Sequence, residues 1–169
     1  QTTIGNPLNE KVRMGSLAGQ NQRQEVKMQV SKLLARSQLI YGSLDSVEVI
    51  DADPKKGAFI SPLLLMNEKP FASNEAHEVE AFGPVSTIMP YKHMDEAIDL
   101  SKKGKGSLCS SIVTADNKKA KQYVLGAASH HGRILVLNAT CAKESTGHGS
   151  PLPLLVHGGP GRAGGGEEM

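Results

Sequence analysis

A chain of 169 residues with 38% apolar and 4% aromatic side chains and no Trp has the length of one domain. A folded chain this long hides roughly two thirds of the surface its unfolded form exposes, so its core must rest on Leu, Val, Ile and Ala. Its 19 basic against 17 acidic residues leave a charge of +2, which argues against nucleic acid as a partner; two cysteines argue against a disulfide framework and fit a reducing, cytoplasmic compartment; and no apolar run is long enough to span a membrane.

Gln1-Thr2-Thr3-Ile4-Gly5 carries neither a basic stretch nor the apolar run of a secretion signal, and no initiator Met stands before it, which reads as a segment of a longer protein. Gly5 to Gly19, punctuated by Asn6-Pro7 and Gly15-Ser16, reads as an irregular surface lead-in. From Gln20 the apolar residues Val26, Val30, Leu33 and Leu34 recur at offsets of four, seven and eight with Gln, Arg and Lys opposite, an amphipathic helix with Gly19 as N-cap and Ser37 past its last turn. Leu39 to Gly42 is a short strand, Ser43 to Gly57 an exposed connection, and Ala58 to Met66 a second strand with Pro62 at an edge or bulge. Asn67 to Val79, polar and holding Pro70, reads as loop.

From Val85 the pattern is regular. Val85 to Tyr91 is a strand; Asp95 to Lys103 is a helix with acids in its first turn, Lys102 and Lys103 in its last, and Gly104 just beyond. Leu108 to Thr114 is a strand, Asp116 caps a helix carrying Ala120, Tyr123, Val124 and Ala127 on one face, and Ile134 to Leu137 is a strand. Strand, helix, strand, helix, strand at this spacing predicts an α/β fold, an open parallel sheet with helices on both faces. Thr140 to Met169 is dense in Gly and Pro and predicts irregular structure.

The stretch richest in chemistry is Glu80-Ala81-Phe82-Gly83-Pro84-Val85. A carboxylate accepts hydrogen bonds from two neighbouring sugar hydroxyls, and an aromatic two residues on covers the flat face of a heterocycle. Read on composition alone, such a turn more often only starts a strand. Cys109 lies among small and apolar strand residues, the setting of a buried inert thiol, whereas Cys141, past a strand, would need His148 or His157 as a base to become a nucleophile. The histidines lack the spacing of a zinc site, and His130-His131 reads as a helix end, where an imidazolium suits the dipole. His148 and His157 flank Ser150-Pro151-Leu152-Pro153, a candidate substrate mouth. Gly158 to Gly166 has no Gly-Lys-Ser/Thr and is not a phosphate loop.

The hexapeptide resembles the Glu-x-Phe-Gly-Pro-Val motif of the aldehyde dehydrogenase superfamily, with Ala81 where isoleucine is frequent. Gly5-Asn6-Pro7 followed by Met14-Gly15-Ser16-Leu17 is similar to the family's segment downstream of its nucleophile, Gln22 stands where it carries a glutamine near the cofactor, and Gly132 to Asn138 resembles its Gly-x-Val-x-Val-Asn strand. His157-Gly158-Gly159-Pro160-Gly161-Arg162-Ala163-Gly164-Gly165-Gly166-Glu167-Glu168 is similar to one subfamily, the phenylacetic acid degradation bifunctional proteins of the PaaZ type. Against the superfamily's Gly-Gly-x-Lys-x-Ser-Gly-x-Gly-Arg-Glu, Gly161 replaces the Lys, Ala163 the Ser and Glu167 the Arg.

The resemblance implies that residues 1–169 are part of an aldehyde dehydrogenase catalytic domain, with the nucleophilic Cys, the general-base Glu and the NAD-binding domain outside them. It implies a cofactor, NADP or NAD, with Glu80 on the nicotinamide ribose, Phe82 by the nicotinamide ring and Gln22 near the cofactor. The implied substrate is a semialdehyde, CoA-linked and from phenylacetate catabolism, oxidised to the acid through attack by the upstream Cys, hydride transfer and thioester hydrolysis. The implied partners are the missing N-terminal portion, a following hydratase-type domain and other subunits of a homo-oligomer. On this reading the segment lines the substrate tunnel and alone is catalytically silent. Two alternatives stand beside it: a non-catalytic binding or oligomerisation module derived from that fold, and a different enzyme using Cys141.

Overall fold

Residues 2–145 and 158–164 are described in a computed structural model of the chain, which falls into two units, Gln1–Pro90 and Tyr91–Met169, each with its own buried cluster. In the first, α1 (Gln20–Leu33) buries Val26, Val30 and Leu33, the stripe its spacing predicts. Gly19 precedes it in extended conformation with φ −172° and no side-chain cap. Three strands follow, β1 (Gln38–Tyr41), β2 (Leu63–Met66) and β3 (Val85–Ile88), in the order β1-β2-β3. β1 runs antiparallel to β2, and β2 runs parallel to β3 in a register that sets Leu63 beside Val85 and Met66 beside Ile88. Pleating sends Leu63 and Leu65 inward and leaves Leu64 and Met66 half-buried. Val26 and Val30 meet Ile60 and Leu63, and Leu17, Leu34, Leu39, Leu44, Ala81 and Val85 close around them.

Several boundaries differ from the sequence reading, each for a local reason. Ala58, Phe59 and Ile60 are buried but lie outside β2; Pro62 has no N–H to give a ladder, and the strand begins just after it. The segment Asn67 to Val79 is not all loop: a single helical turn, α2 (Glu75–Glu78), sits in it, with Arg36 Nε 3.8 Å from Glu75 Oε1. The lead-in lies on the surface, as expected, with Leu8 90% exposed, and it is tied down at its start. Ile4 is buried, Gly5 N–H donates to Met14 O at 3.1 Å, and Ile50 N–H donates to Ile4 O at 2.8 Å.

In the second unit α3 (Met94–Lys102) precedes a β4 (Ser107–Val113), α4 (Asn117–Ala127), β5 (His131–Leu137) crossover whose strands pair in parallel. The Asp116 carboxylate caps α4, accepting from the N–H groups of Lys118 at 2.8 Å and Lys119 at 3.2 Å. Ile98, Ile112, Tyr123 and Ala127 form the core with Met94 and Ile134 against it, and the Tyr123 hydroxyl is hydrogen-bonded to Ser110 Oγ. β5 opens at His131, ahead of the expected Ile134, so His130-His131 does not close an α-helix: His130 ends a 3-10 turn, Ala128–His130, and His131 is already in the strand. Residues 158–164 lie against the start of this sheet by backbone approach. Arg162 N–H donates to Lys105 O at 3.0 Å, and a Cβ on Gly132 would sit 1.9 Å from Gly158 O.

The α/β class with parallel strand pairing is therefore what the chain adopts. Two features sharpen it: β3 pairs with β2 and β4 with β5 in separate sheets, and β1 is antiparallel. Among the described residues no helix is long and apolar enough to cross a membrane.

Leu65 is wholly buried, and Leu65→Ala is expected to cost about 2–5 kcal/mol of stability, against about 1 kcal/mol for Asp116→Ala, which removes only the cap. Urea titration followed by circular dichroism measures both; a loss no larger for Leu65→Ala than for Asp116→Ala would contradict the packing described.

Candidate functional site

The turn ahead of β3 is shaped by its neighbours on both sides. Pro84 cannot donate to a ladder, but its carbonyl accepts from Leu63 N–H at 2.8 Å and so fixes where the parallel pairing begins. Just before it the backbone makes successive tight contacts, Gly83 N–H to Ala81 O at 2.7 Å and Val85 N–H to Gly83 O at 2.8 Å, the spacing of γ-turns. Gly83 lies directly on α1: a Cβ there would sit 2.9 and 3.0 Å from the two γ-methyls of Val26. Val26 is fully buried and stiff at χ1, so it cannot yield to a larger residue.

This seating decides which side chains face out. Ala81 packs against the core cluster, while Glu80 and Phe82 on either side of it are exposed, Phe82 by 67%. A single exposed ring is ordinary. What distinguishes this one is the nearby carboxylate on the same short turn and a backbone held from outside the turn. Gln22, in the first turn of α1, supplies part of that hold: its Oε1 accepts from Ala18 N–H at 3.0 Å and its Nε2 donates to Phe82 O at 2.9 Å. Glu80, Phe82 and Gln22, 60 residues apart at the extremes of the Gln22–Phe82 bond, are thus brought to one place.

Two clefts lie elsewhere in this unit. One of about 330 Å³ is lined by Leu34, Arg36, Gln38, Met66, Asn67 and Lys69, at the opposite end of β2 from the Pro84 contact. One of about 260 Å³ is lined by Thr2, Ile4, Tyr41, Glu48, Ile50 and Pro62. Neither is walled by Glu80, Phe82 or Gln22.

The other residues singled out from the sequence fare differently. Cys109 is half-buried in β4, paired across the register with Arg133, rather than sealed in a core. Cys141 is half-buried past β5, and its sulfur is engaged by backbone, accepting from Asn138 N–H at 3.4 Å and lying 3.8 Å from Val136 O. His148 and His157, the suggested bases and mouth residues, lie outside the described residues, as do Gly165, Gly166 and Glu167 of the closing segment. Among the described residues no group of three or more His, Cys, Asp or Glu side chains could hold a metal ion.

One side-chain contact in the second unit was not found from the sequence. The parallel register sets His131 beside Ser107, and His131 Nδ1 is hydrogen-bonded to Ser107 Oγ. His131 is only 8% exposed and its Nε2 has no partner among the described residues. A Ser-His-acid arrangement needs a carboxylate on the second ring nitrogen, and none stands there among the described residues. Burial pushes the imidazole below its ordinary value of 6.5, with the neighbouring His130 charge adding to the effect.

Comparison with known proteins extends this picture. A model of the aldehyde dehydrogenase family matches residues 1–147. The chain is 48% identical over 158 residues to the protein MaoC of Klebsiella aerogenes, covering 92% of this chain and 45% of that protein. It is 36% identical over 157 residues to 3,4-dehydroadipyl-CoA semialdehyde dehydrogenase of Aromatoleum evansii, covering 93% and 30% respectively. Among solved structures, a mutant of aldehyde dehydrogenase C of Pseudomonas syringae in complex with NAD+ and octanal overlays with a TM-score of 0.76 at 20% identity, over 96% of this chain and 30% of that one. A mutant 1-pyrroline-5-carboxylate dehydrogenase of Thermus thermophilus overlays with a TM-score of 0.76 at 19% identity, over 98% and 28%. At such identities the overlays speak for the fold. The chain spans less than half the length of these curated relatives.

Two outcomes follow from the geometry. Gly83→Ala is expected to destabilise the protein by about 1–3 kcal/mol through overpacking on Val26, and Val26→Ala in the same chain to recover part of that loss, a coupling that a double-mutant cycle in urea reads directly. His131 is expected to titrate below 6.5 by proton NMR. Because the fold favours its neutral form, the stability it contributes is present above that ordinary value and is lost as the pH falls through the folded one. An imidazole titrating at or above 6.5 would refute its burial as described.

Proposed function

The chain belongs to the aldehyde dehydrogenase family, and from that premise we propose that it is part of an NAD(P)-dependent aldehyde dehydrogenase in which Glu80, Phe82 and Gln22 serve the nicotinamide end of the cofactor. The observation that carries this reading is the turn itself: a carboxylate and an aromatic ring, both exposed, flank an inward-packed Ala81 on a backbone pinned to α1 and β2. Those groups fit the cofactor chemically. A carboxylate accepts from both hydroxyls of a ribose, and an aromatic face covers a flat pyridinium ring and keeps water from it. When bound, the nicotinamide supplies the hydride acceptor for oxidation of the aldehyde carbon.

In this role the chain's residues bind and orient; they do not react. Holding the ring within contact distance of the carbon being oxidised converts an encounter into a positioned step, and a turn that cannot shift is suited to that. The nucleophile and the general base then come from parts of the protein outside these 169 residues, and the segment alone is silent. The reading extends to the substrate: a relative 36% identical bears the name of a CoA-linked semialdehyde dehydrogenase, and Gly161 and Ala163 replace the Lys and Ser of the superfamily's closing motif. The first favours a CoA-linked semialdehyde, and the second, through its likeness to the PaaZ type, favours phenylacetate catabolism; a homo-oligomer is part of the same proposal.

The full-length protein carrying this segment tests the proposal. Glu80→Gln keeps the shape and removes the charge that strengthens ribose hydrogen bonds. It is expected to raise the KM for NAD or NADP about tenfold or more, with Phe82→Ala lowering kcat as well. Wild-type KM in both variants, or aldehyde-dependent reduction of NADP by the isolated 169 residues, would overturn it.

A further inference from the structure

The Gln22 side chain invites a sharper assignment than nearness to the cofactor. An amide offers one oxygen acceptor and two N–H donors. Both polar atoms of Gln22 already hold protein backbone: Oε1 takes Ala18 N–H at 3.0 Å, and Nε2 gives to Phe82 O at 2.9 Å. The first bond does local work. Gly19, the N-cap of α1, has no side chain to cap the helix, and Gln22 in the first turn reaches past it to the N–H of Ala18, tying the chain that enters the helix to its first turn. The second bond runs to a turn distant in sequence.

We propose that Gln22 is a positioning residue that locks the peptide plane following Phe82, and thereby aims the Phe82 ring and Glu80, rather than a direct ligand of the cofactor. Fixing the Phe82 carbonyl fixes ψ at that residue. Gly83 has its own carbonyl and N–H engaged in the neighbouring γ-turn contacts and its Cα against Val26, so the peptide plane between 82 and 83 is held from both ends. An amide so used cannot swing to a ribose without releasing the turn that presents the ring. The start of α1 and the Glu80–Pro84 turn are therefore one mechanical piece: whatever moves the first turn of α1 moves the ring.

This inference rests on the cofactor reading above, and the experiment separates the two. In the full-length protein, Gln22→Glu keeps the acceptor for Ala18 N–H, and so the helix start, but loses the donor to Phe82 O. Gln22→Ala loses both. Hydrogen exchange over residues 80–85 without cofactor is expected to speed about tenfold or more in both variants, and cofactor Kd to rise about fivefold. In a Phe82→Ala background, Gln22→Ala is expected to add less than twofold to Kd, because it acts through that residue. Unchanged exchange over 80–85, or Kd effects that multiply in the double variant as for an independent contact, would overturn the positioning role. Faster exchange with no change of Kd in any of these variants, Phe82→Ala included, would overturn the cofactor reading and with it the function assigned to the turn, while leaving the Gln22–Phe82 bond as a structural fact.

Discussion

The contact between Gly83 and Val26 is the constraint on which the arrangement of the first unit turns. With the γ-methyls of Val26 less than about a Cβ contact away, the chain can approach α1 there only as glycine, and that closeness brings Pro84 O within reach of Leu63 N–H at 2.8 Å. The parallel β2–β3 ladder starts from that bond, and its register then buries Leu63 while Val85 packs beside it. An apolar contact, a hydrogen bond and a strand register are thus consecutive consequences of one missing side chain.

The second unit solves a similar problem with backbone against backbone. Gly132 stands where Gly158 O passes, and a Cβ on Gly106 would meet Pro160 O at 1.9 Å. Both positions belong to glycines that look, by composition, like loop formers. In the structure the former is inside β5 and the latter just precedes β4. Glycine content in this chain therefore marks close approach as much as irregularity, which is how 158–164, without apolar periodicity, holds a place by hydrogen bonds such as Arg162 N–H to Lys105 O.

That distinction accounts for what was legible in the sequence. The α1 stripe, the start of β3 at Val85, the Asp116 cap and the β4–α4–β5 alternation are local: periodicity, a proline and a capping carboxylate each act within a few residues. The beginning of β5 was hidden because Gly132 and Arg133 carry no strand pattern, and its cause is the register with β4 and the approach of Gly158. Ala58 to Ile60 looked like strand because burial and strand share an apolar signature; the segment is buried and Ala58 O takes Leu17 N–H, but it joins no ladder. The Ser107–His131 contact and the Gln22–Phe82 bond were invisible for a plainer reason: each joins residues far apart in the chain. At the candidate site Glu80, Phe82 and Gln22 were singled out through motif likeness, but the mode of Gln22, holding backbone at both ends of its amide, was not legible.

The division of labour within the turn has a physical logic. Side chains that meet a ligand must stay accessible, so they cannot be anchored by their own burial; their backbone must be anchored instead. Here Ala81 enters the core, Gly83 rests on Val26, Pro84 is bonded to Leu63, and the Phe82 carbonyl is bonded to Gln22. Phe82 itself is left 67% exposed. Under the proposed role, rotamer freedom at the ring is the main entropy left for a ligand to remove, of order 1 kcal/mol, because the backbone conformation has been fixed by folding. A turn built only to start a strand would gain more by burying that ring than by holding it out, since full burial of a Phe is worth about 1.5–3 kcal/mol. Phe82 is the most exposed of the exposed aromatics, ahead of Tyr41, Phe71 and Tyr91, and its carbonyl is held by a side chain from α1; that combination of an open ring on an anchored backbone is the physical reason for proposing the turn as a seat for a flat ligand.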